Sequence, residues 1–169
     1  MDVMSAQVFF IGDTHFGHKN IIKFGRNQFQ TIQEHNEFLV DAWNSVVKPK
    51  DIVYHMGDVA FGLENLRYIR YCNGNKHLVK GNHDNLLITD YVEAGFRRIE
   101  GCMKYKEFVM THVPIHPSCL EFSWKLNLHG HIHDPLKNIP DPRYINVGAD
   151  NIGLIPISLE EIRENLKKY

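Results

Sequence analysis

Paired cysteines are missing from this sequence. Cys72, Cys102 and Cys119 are odd in number and widely spaced, with no CxxC pair, so neither a disulfide framework nor a thiolate-selected zinc site is expected. No apolar run approaches the ~20 residues that a membrane span needs. The N-terminal region has no basic segment ahead of an apolar core. Its first apolar stretch, Val8–Ile11, leads straight into a polar motif and reads as a strand, not as a signal peptide. Charge of either sign is not in excess: 19 Lys and Arg against 20 Asp and Glu leave a net charge of −1, which gives no bulk attraction to nucleic acid or anionic membrane. Repeats, low-complexity tracts and linkers are also absent. A single domain over residues 1–169, with reduced thiols in the cytoplasm, is the expectation.

What the chain does have is histidine, 11 in 169 residues, most of it inside or beside five short polar motifs. These are Asp13-Thr14-His15, Gly57-Asp58, Gly81-Asn82-His83-Asp84, Thr111-His112 and Gly130-His131-Ile132-His133. Asp, Asn and neutral His suit Mn, Fe, Co, Ni or Zn. Six to eight such N/O ligands are more than one tetrahedral ion can use, and two ions at roughly 3.5–4 Å sharing a carboxylate would use them all. A lone Asp-x-His or a lone sheet histidine carries little information. All five motifs, most of them following a strand-like segment, carry a great deal.

Strands are expected at residues 8–11, 51–56, 76–79, 96–99, 106–110, 125–128 and 144–147. Thr31-Ile32-Gln33-Glu34 has capping-box form. Ile32, His35, Leu39, Ala42, Trp43 and Val46 then recur at helical spacing until Lys48-Pro49. Residues 63–71 predict a helix closed by Asn73-Gly74-Asn75, and Ser158-Leu159-Glu160-Glu161 opens another. The first half thus reads β-α-β-α-β and the second mostly strand, which two mixed sheets packed face to face under outer helices would satisfy. Strand alternation is expected to aim Asp13 with His15, and His131 with His133, in common directions. Phe10, Phe38 and Trp43 read as core. His55 reads as packed or hydrogen-bonded within its strand, His129 as lying behind the ligands, and His116 as either reaching the site or ending its loop.

The five-part pattern resembles the calcineurin-like metallophosphoesterase superfamily over nearly the whole chain. The stretch from Asp13 to Ile22, DTHFGHKNII, resembles small bacterial and phage phosphoesterases more narrowly. The resemblance implies a four-layer α/β/β/α sandwich. It implies that Asp13, His15 and His133 hold one metal, that Asn82, His112 and His131 hold a second, and that Asp58 bridges them. It makes His83 the catalytic acid, in a hydrolysis by in-line attack of a hydroxide held between two divalent ions, Mn²⁺ first among them. Protein phosphatases of this superfamily carry a further Asp soon after Gly-Asp. Here Gly57-Asp58 runs into Val59-Ala60-Phe61-Gly62, which argues against that class.

His18, Lys19 and Arg26, in the loop after the first ligand pair, are the candidates for binding the rest of a phosphate ester. The expected partner is a small phosphomonoester or phosphodiester, such as a nucleotide or cyclic nucleotide, with neither membrane nor nucleic acid, and a homo-oligomer is compatible with the sequence. Two further readings compete: a protein-binding scaffold on the same fold, and a nuclease, for which the near-neutral charge is a poor match.

Overall fold

The computed structural model describes residues 5–167. Two mixed sheets form the centre. The first has the order β4-β3-β2-β1-β9, from strands β1 (Val8–Ile11), β2 (Ile52–His55), β3 (Asn75–Val79), β4 (Phe96–Glu100) and β9 (Ile157–Ser158). Strands β1 to β4 run parallel, and β9 pairs antiparallel to β1. The second sheet has the order β5-β6-β7-β8, from β5 (Cys102–Tyr105), β6 (Phe108–Thr111), β7 (Leu126–His129) and β8 (Tyr144–Asn146). Here β5 is antiparallel to β6, and β6, β7 and β8 are parallel.

The continuous apolar run of β1 follows from burial on both faces. Val8 and Phe10 point between the sheets, where Tyr54, Met56, Met103, Phe108, Met110 and Leu128 join them. Phe9 and Ile11 point the other way, onto Leu39 and Trp43 of helix α2 (Ile32–Val46). The outer face of the second sheet is closed by a smaller cluster, in which Val109 and Tyr144 meet Leu120 of the 3-10 turn Pro117–Leu120. Two mixed sheets with flanking helices are thus what the two halves of the sequence build.

Several elements depart from expectation. The helix over 63–71 is a short α3 (Leu63–Leu66) running into a 3-10 turn (Arg67–Tyr71). Residues 106 and 107 belong to the β5–β6 turn, with Lys106 at φ 52°. Strands β5 and β9, the short α1 (Ile21–Phe24) and α4 (Ile88–Glu93) were not expected. Phe38 is 42% exposed and is not core, whereas Phe10 and Trp43 are. At Thr31 the hydroxyl caps Glu34 N–H at 3.1 Å, but the Glu34 carboxylate reaches back one residue further, to Gln30 N–H. The full reciprocal box forms at Ser158, which opens α5 (Leu159–Leu166). Among the described residues, no helix is long and apolar enough to cross a membrane.

Phe10 is completely buried between the sheets. Phe10→Ala is expected to lower unfolding free energy by about 3–5 kcal/mol, read as a shift of the urea midpoint with an unchanged slope.

Candidate metal centre

Strands β1, β2, β3, β6 and β7 all deliver a motif from the chain that follows their last residue. The edge at which parallel strands end is where open α/β sheets place their sites. The ligands do not converge by strand alternation, however. Asp13 (φ 53°), His15 (φ 50°), Asp58 (φ 56°) and His131 (φ 68°) all have left-handed backbone. That conformation is costly for side chains with a Cβ. His131 and His133 consequently serve different clusters, correcting the expectation of a common direction.

One cluster is Asp13, His15 and His133, the other Asp58, His112 and His131, each with ligand atoms within 4.8 Å of one another. Asp58 Oδ2 lies 3.4 Å from His112 Nε2 and 3.8 Å from His15 Nε2, so it faces both. Asn82 Oδ1 is 2.9 Å from His112 Nε2.

The donor set fits a cation. His112 Nδ1 donates to the Met56 carbonyl at 2.6 Å, so Nε2 is the nitrogen turned towards Asn82 Oδ1 and Asp58 Oδ2. Burial lowers the His112 pKa, but the hydrogen bond and charge of Asp58 more than reverse it, and the same acceptors favour a metal cation among them. His133 Nδ1 likewise donates to Asp150 Oδ2 at 2.7 Å, and its Nε2 then faces His15 Nε2 at 3.2 Å. Asp13 Oδ1 is buried with no hydrogen-bond partner. Burial pushes the Asp13 carboxyl up to about 6, and burial drives His15 down, keeping it in its neutral, ligating form.

Backbone donors hold the Asp58 carboxylate and the turn that carries it. Asp58 Oδ1 accepts His83 N–H at 2.8 Å. Asp84 accepts the N–H groups of Asp58, Val59 and Gly81 at 2.8, 3.0 and 2.8 Å, tying the β2 and β3 loops together. Glycine is required where carboxylates crowd the chain: a Cβ on Gly81 would overlap Asp58 Oδ1, and one on Gly130 would overlap Asp13 Oδ2. Behind them His55, which burial holds down at about 3, accepts Gly57 N–H at Nδ1 and donates from Nε2 to Thr14 Oγ1. His129 is buried and its Nδ1 meets the Gly130 carbonyl. His116 caps the Pro117–Leu120 turn.

The three expected phosphate contacts separate. His18 is half-buried, its ring stacked on Phe61 at 4.1 Å and tilted against His15 at 5.4 Å. Lys19 is exposed. Arg26 is a correction: it is 0% exposed, and its guanidinium bonds Asp150, the Asp13 and Thr14 carbonyls and His35. No donor remains for a substrate. Burial pushes Asp150 upward, but hydrogen bonds from Arg26 and His133 more than reverse it and hold its carboxyl below the usual range. The His83 ring lies 5.0 Å from Phe61 and 5.9 Å from His15. Asp150, Asp84 and Phe61 escaped the sequence reading. Only the adjacency of Asp84 to His83 offered a signal.

Residues 6–150 match the family described as calcineurin-like phosphoesterase. The chain belongs to that family. By family it is a phosphoester hydrolase that uses divalent metals. An uncharacterized protein of Methanocaldococcus jannaschii is 34% identical over 172 residues, covering 96% of this chain and 92% of that one. The gene 66 protein of Mycobacterium phage L5 is 28% identical, covering 93% and 92%. Among solved structures, an Aquifex aeolicus protein of unknown function superposes with a TM-score of 0.75 at 27% identity, covering 95% of this chain and all (100%) of that one. An archaeal phosphodiesterase shares the fold at a TM-score of 0.50 and 19% identity, covering 84% and 82%.

The buried, unpartnered Oδ1 of the Asp13 carboxylate generates a test. Its folded-state value lies above its unfolded one, so in metal-free protein it subtracts stability as pH rises from about 4 to 6, with no further change above. Asp13→Asn removes that component. Metal-free Asp13→Asn is expected to be more stable than wild type by about 1–3 kcal/mol at pH 8, with the gap closing towards pH 4. The same variant is expected to lose the rise in Tm that Mn²⁺ gives the wild type.

Proposed function

We propose that this calcineurin-like phosphoesterase is a dinuclear enzyme hydrolysing a small phosphomonoester or phosphodiester, a nucleotide or cyclic nucleotide being the first to try. The observation that carries this reading is the placement of Asp58 Oδ2 facing imidazoles of two candidate ligand clusters, His15 of one and His112 of the other. Asp13, His15 and His133 would hold one ion, and Asn82, His112 and His131 the other, with Asp58 shared. Bound divalent ions, Mn²⁺ foremost, neutralise phosphoryl oxygens and bring water into its hydroxide form near neutral pH.

The chain's own groups supply the rest. His83 is exposed beside the centre, and its backbone N–H is fixed to Asp58 Oδ1, so its backbone is anchored to that carboxylate while its ring is open to a substrate. It is assigned as the acid that protonates the leaving oxygen. No side chain among the described residues hydrogen-bonds that ring, which packs on Phe61 instead. His18, stacked on Phe61, and exposed Lys19 are assigned to the non-reacting part of the ester. The cytoplasm is the proposed location, and residues 1–169 the proposed domain.

Protein loaded with Mn²⁺ is expected to hydrolyse p-nitrophenyl phosphate or its bis ester, with the ratio of the two separating monoesterase from diesterase. Asp58→Asn is expected to lower kcat/KM by at least about 10²-fold. His83→Ala should cost about 10²–10⁴-fold on esters with alkyl leaving groups, and much less on p-nitrophenyl esters, whose leaving group needs little protonation. No turnover with any divalent ion across a broad phosphate-ester panel defeats the proposal.

A further inference from the structure

Two imidazoles, one from each candidate cluster, are oriented by different kinds of acceptor. His112 donates Nδ1–H to a neutral carbonyl, that of Met56, at 2.6 Å. His133 donates Nδ1–H to a carboxylate, Asp150 Oδ2, at 2.7 Å. A carboxylate behind a ligating histidine fixes its tautomer and strengthens its far nitrogen as a donor to metal more than a carbonyl does.

Behind Asp150 stands Arg26, fully buried. Its Nε and Nη2 donate to the two Asp150 oxygens at 2.8 and 2.9 Å. Nη1 donates to the Thr14 carbonyl at 3.0 Å and to His35 Nε2 at 2.8 Å. Nη2 also donates to the Asp13 carbonyl at 2.6 Å. A guanidinium has five N–H donors, and five acceptors meet them here. His35 is itself set to accept, since its Nδ1 faces Asn36 Oδ1 at 3.1 Å. The carbonyls of Asp13 and Thr14 belong to the left-handed turn that presents Asp13 and His15. One buried cation therefore braces the backbone of two ligands and the carboxylate behind the third. All three belong to the same cluster, and none to the Asp58, His112 and His131 cluster.

We propose that Arg26 and Asp150 are positioning residues that set divalent-ion affinity at the Asp13, His15 and His133 half of the centre, independently of the other half. The proposal rests on the dinuclear reading above. Lysine cannot replace Arg26, because an ammonium has three donors on a point charge where the site uses a planar fork of five.

The test titrates metal-free protein with MnCl₂ by calorimetry, with electron paramagnetic resonance of the bound Mn²⁺ to separate paired from single ions. Wild type is expected to take up two ions. Asp150→Asn, which keeps side-chain shape, is expected to weaken one of them by about 10–100-fold and leave the other unchanged, replacing the paired signal by that of a single ion. Arg26→Lys is expected to act in the same direction. Circular dichroism and a denaturation midpoint establish that each variant folds, and Asp150→Asn carries the test should Arg26→Lys not fold.

A double-mutant cycle separates positioning from general damage. In a His133→Ala background Asp150→Asn is expected to have a smaller effect, because only its support of the Asp13 and His15 turn through Arg26 remains, whereas in a His131→Ala background it keeps its full effect on the remaining ion. Equal effects in both backgrounds, or two ions bound by Asp150→Asn with wild-type affinity, overturn the proposal. A wild-type protein that takes up no ion overturns the dinuclear reading, and this proposal with it.

Discussion

Asp58 is the side chain on which the rest of the centre converges. One of its oxygens accepts a backbone donor from the next motif, His83 N–H, and the other faces imidazoles from the β1 and β6 loops. Its own N–H is held by Asp84, which also holds Gly81. A displacement of any one loop is thus felt by four. The loops come from two sheets, so their agreement depends on the layer of Phe10, Met56, Met110 and Leu128 between those sheets. Backbone bonds stitch the exits as well: Gly12 N–H donates to Val147 O, and Ala149 N–H donates to Gly12 O, joining the end of β1 to the chain just past β8. Packing between the sheets and geometry at their edge are one constraint.

That constraint also carries the cost of the backbone. Four of the proposed ligands adopt left-handed φ, at about 1–3 kcal/mol each for sparsely populated backbone. Such conformations persist where surrounding bonds over-determine them. At Asp13 and His15 they do: Asp13 N–H reaches Gly57 O, His15 N–H reaches Asp58 O, and Arg26 takes the intervening carbonyls. The strain aims two side chains inward from adjacent turns, which a regular strand would send outward or into the core.

How much of this could be read in the sequence differs by kind. Ligand chemistry was legible, since Asp, Asn and His in five motifs advertise metal binding whatever the backbone does. The sheets were legible where strands are buried on both faces, as in Val8–Ile11. They were illegible in Cys102–Tyr105, where only Met103 is well buried and the pattern carries almost no apolar signal. The left-handed turns could not be read, because nothing local distinguishes Asp-Thr-His on a strand from Asp-Thr-His in a strained loop. Glycine gave a partial clue: Gly57 does have positive φ (87°), but Gly81 and Gly130 are there to let carboxylates approach.

Arg26 shows where local reading fails for a physical reason. A basic residue in a loop after a metal motif looks like a phosphate contact, and Lys19, which precedes helix α1, does lie exposed. What decides the matter is a partner 124 positions away, Asp150, together with carbonyls that become acceptors only once the β1 exit has turned left-handed. Burying a guanidinium is tolerable only when every donor is met. A cation so completely engaged has no capacity left for substrate, and its charge instead orders anionic and dipolar groups behind the ligands. The segment that carries half-buried His18 thus also carries Arg26, on the far side of helix α1 (Ile21–Phe24), where the guanidinium turns into the protein behind the Asp13, His15 and His133 cluster.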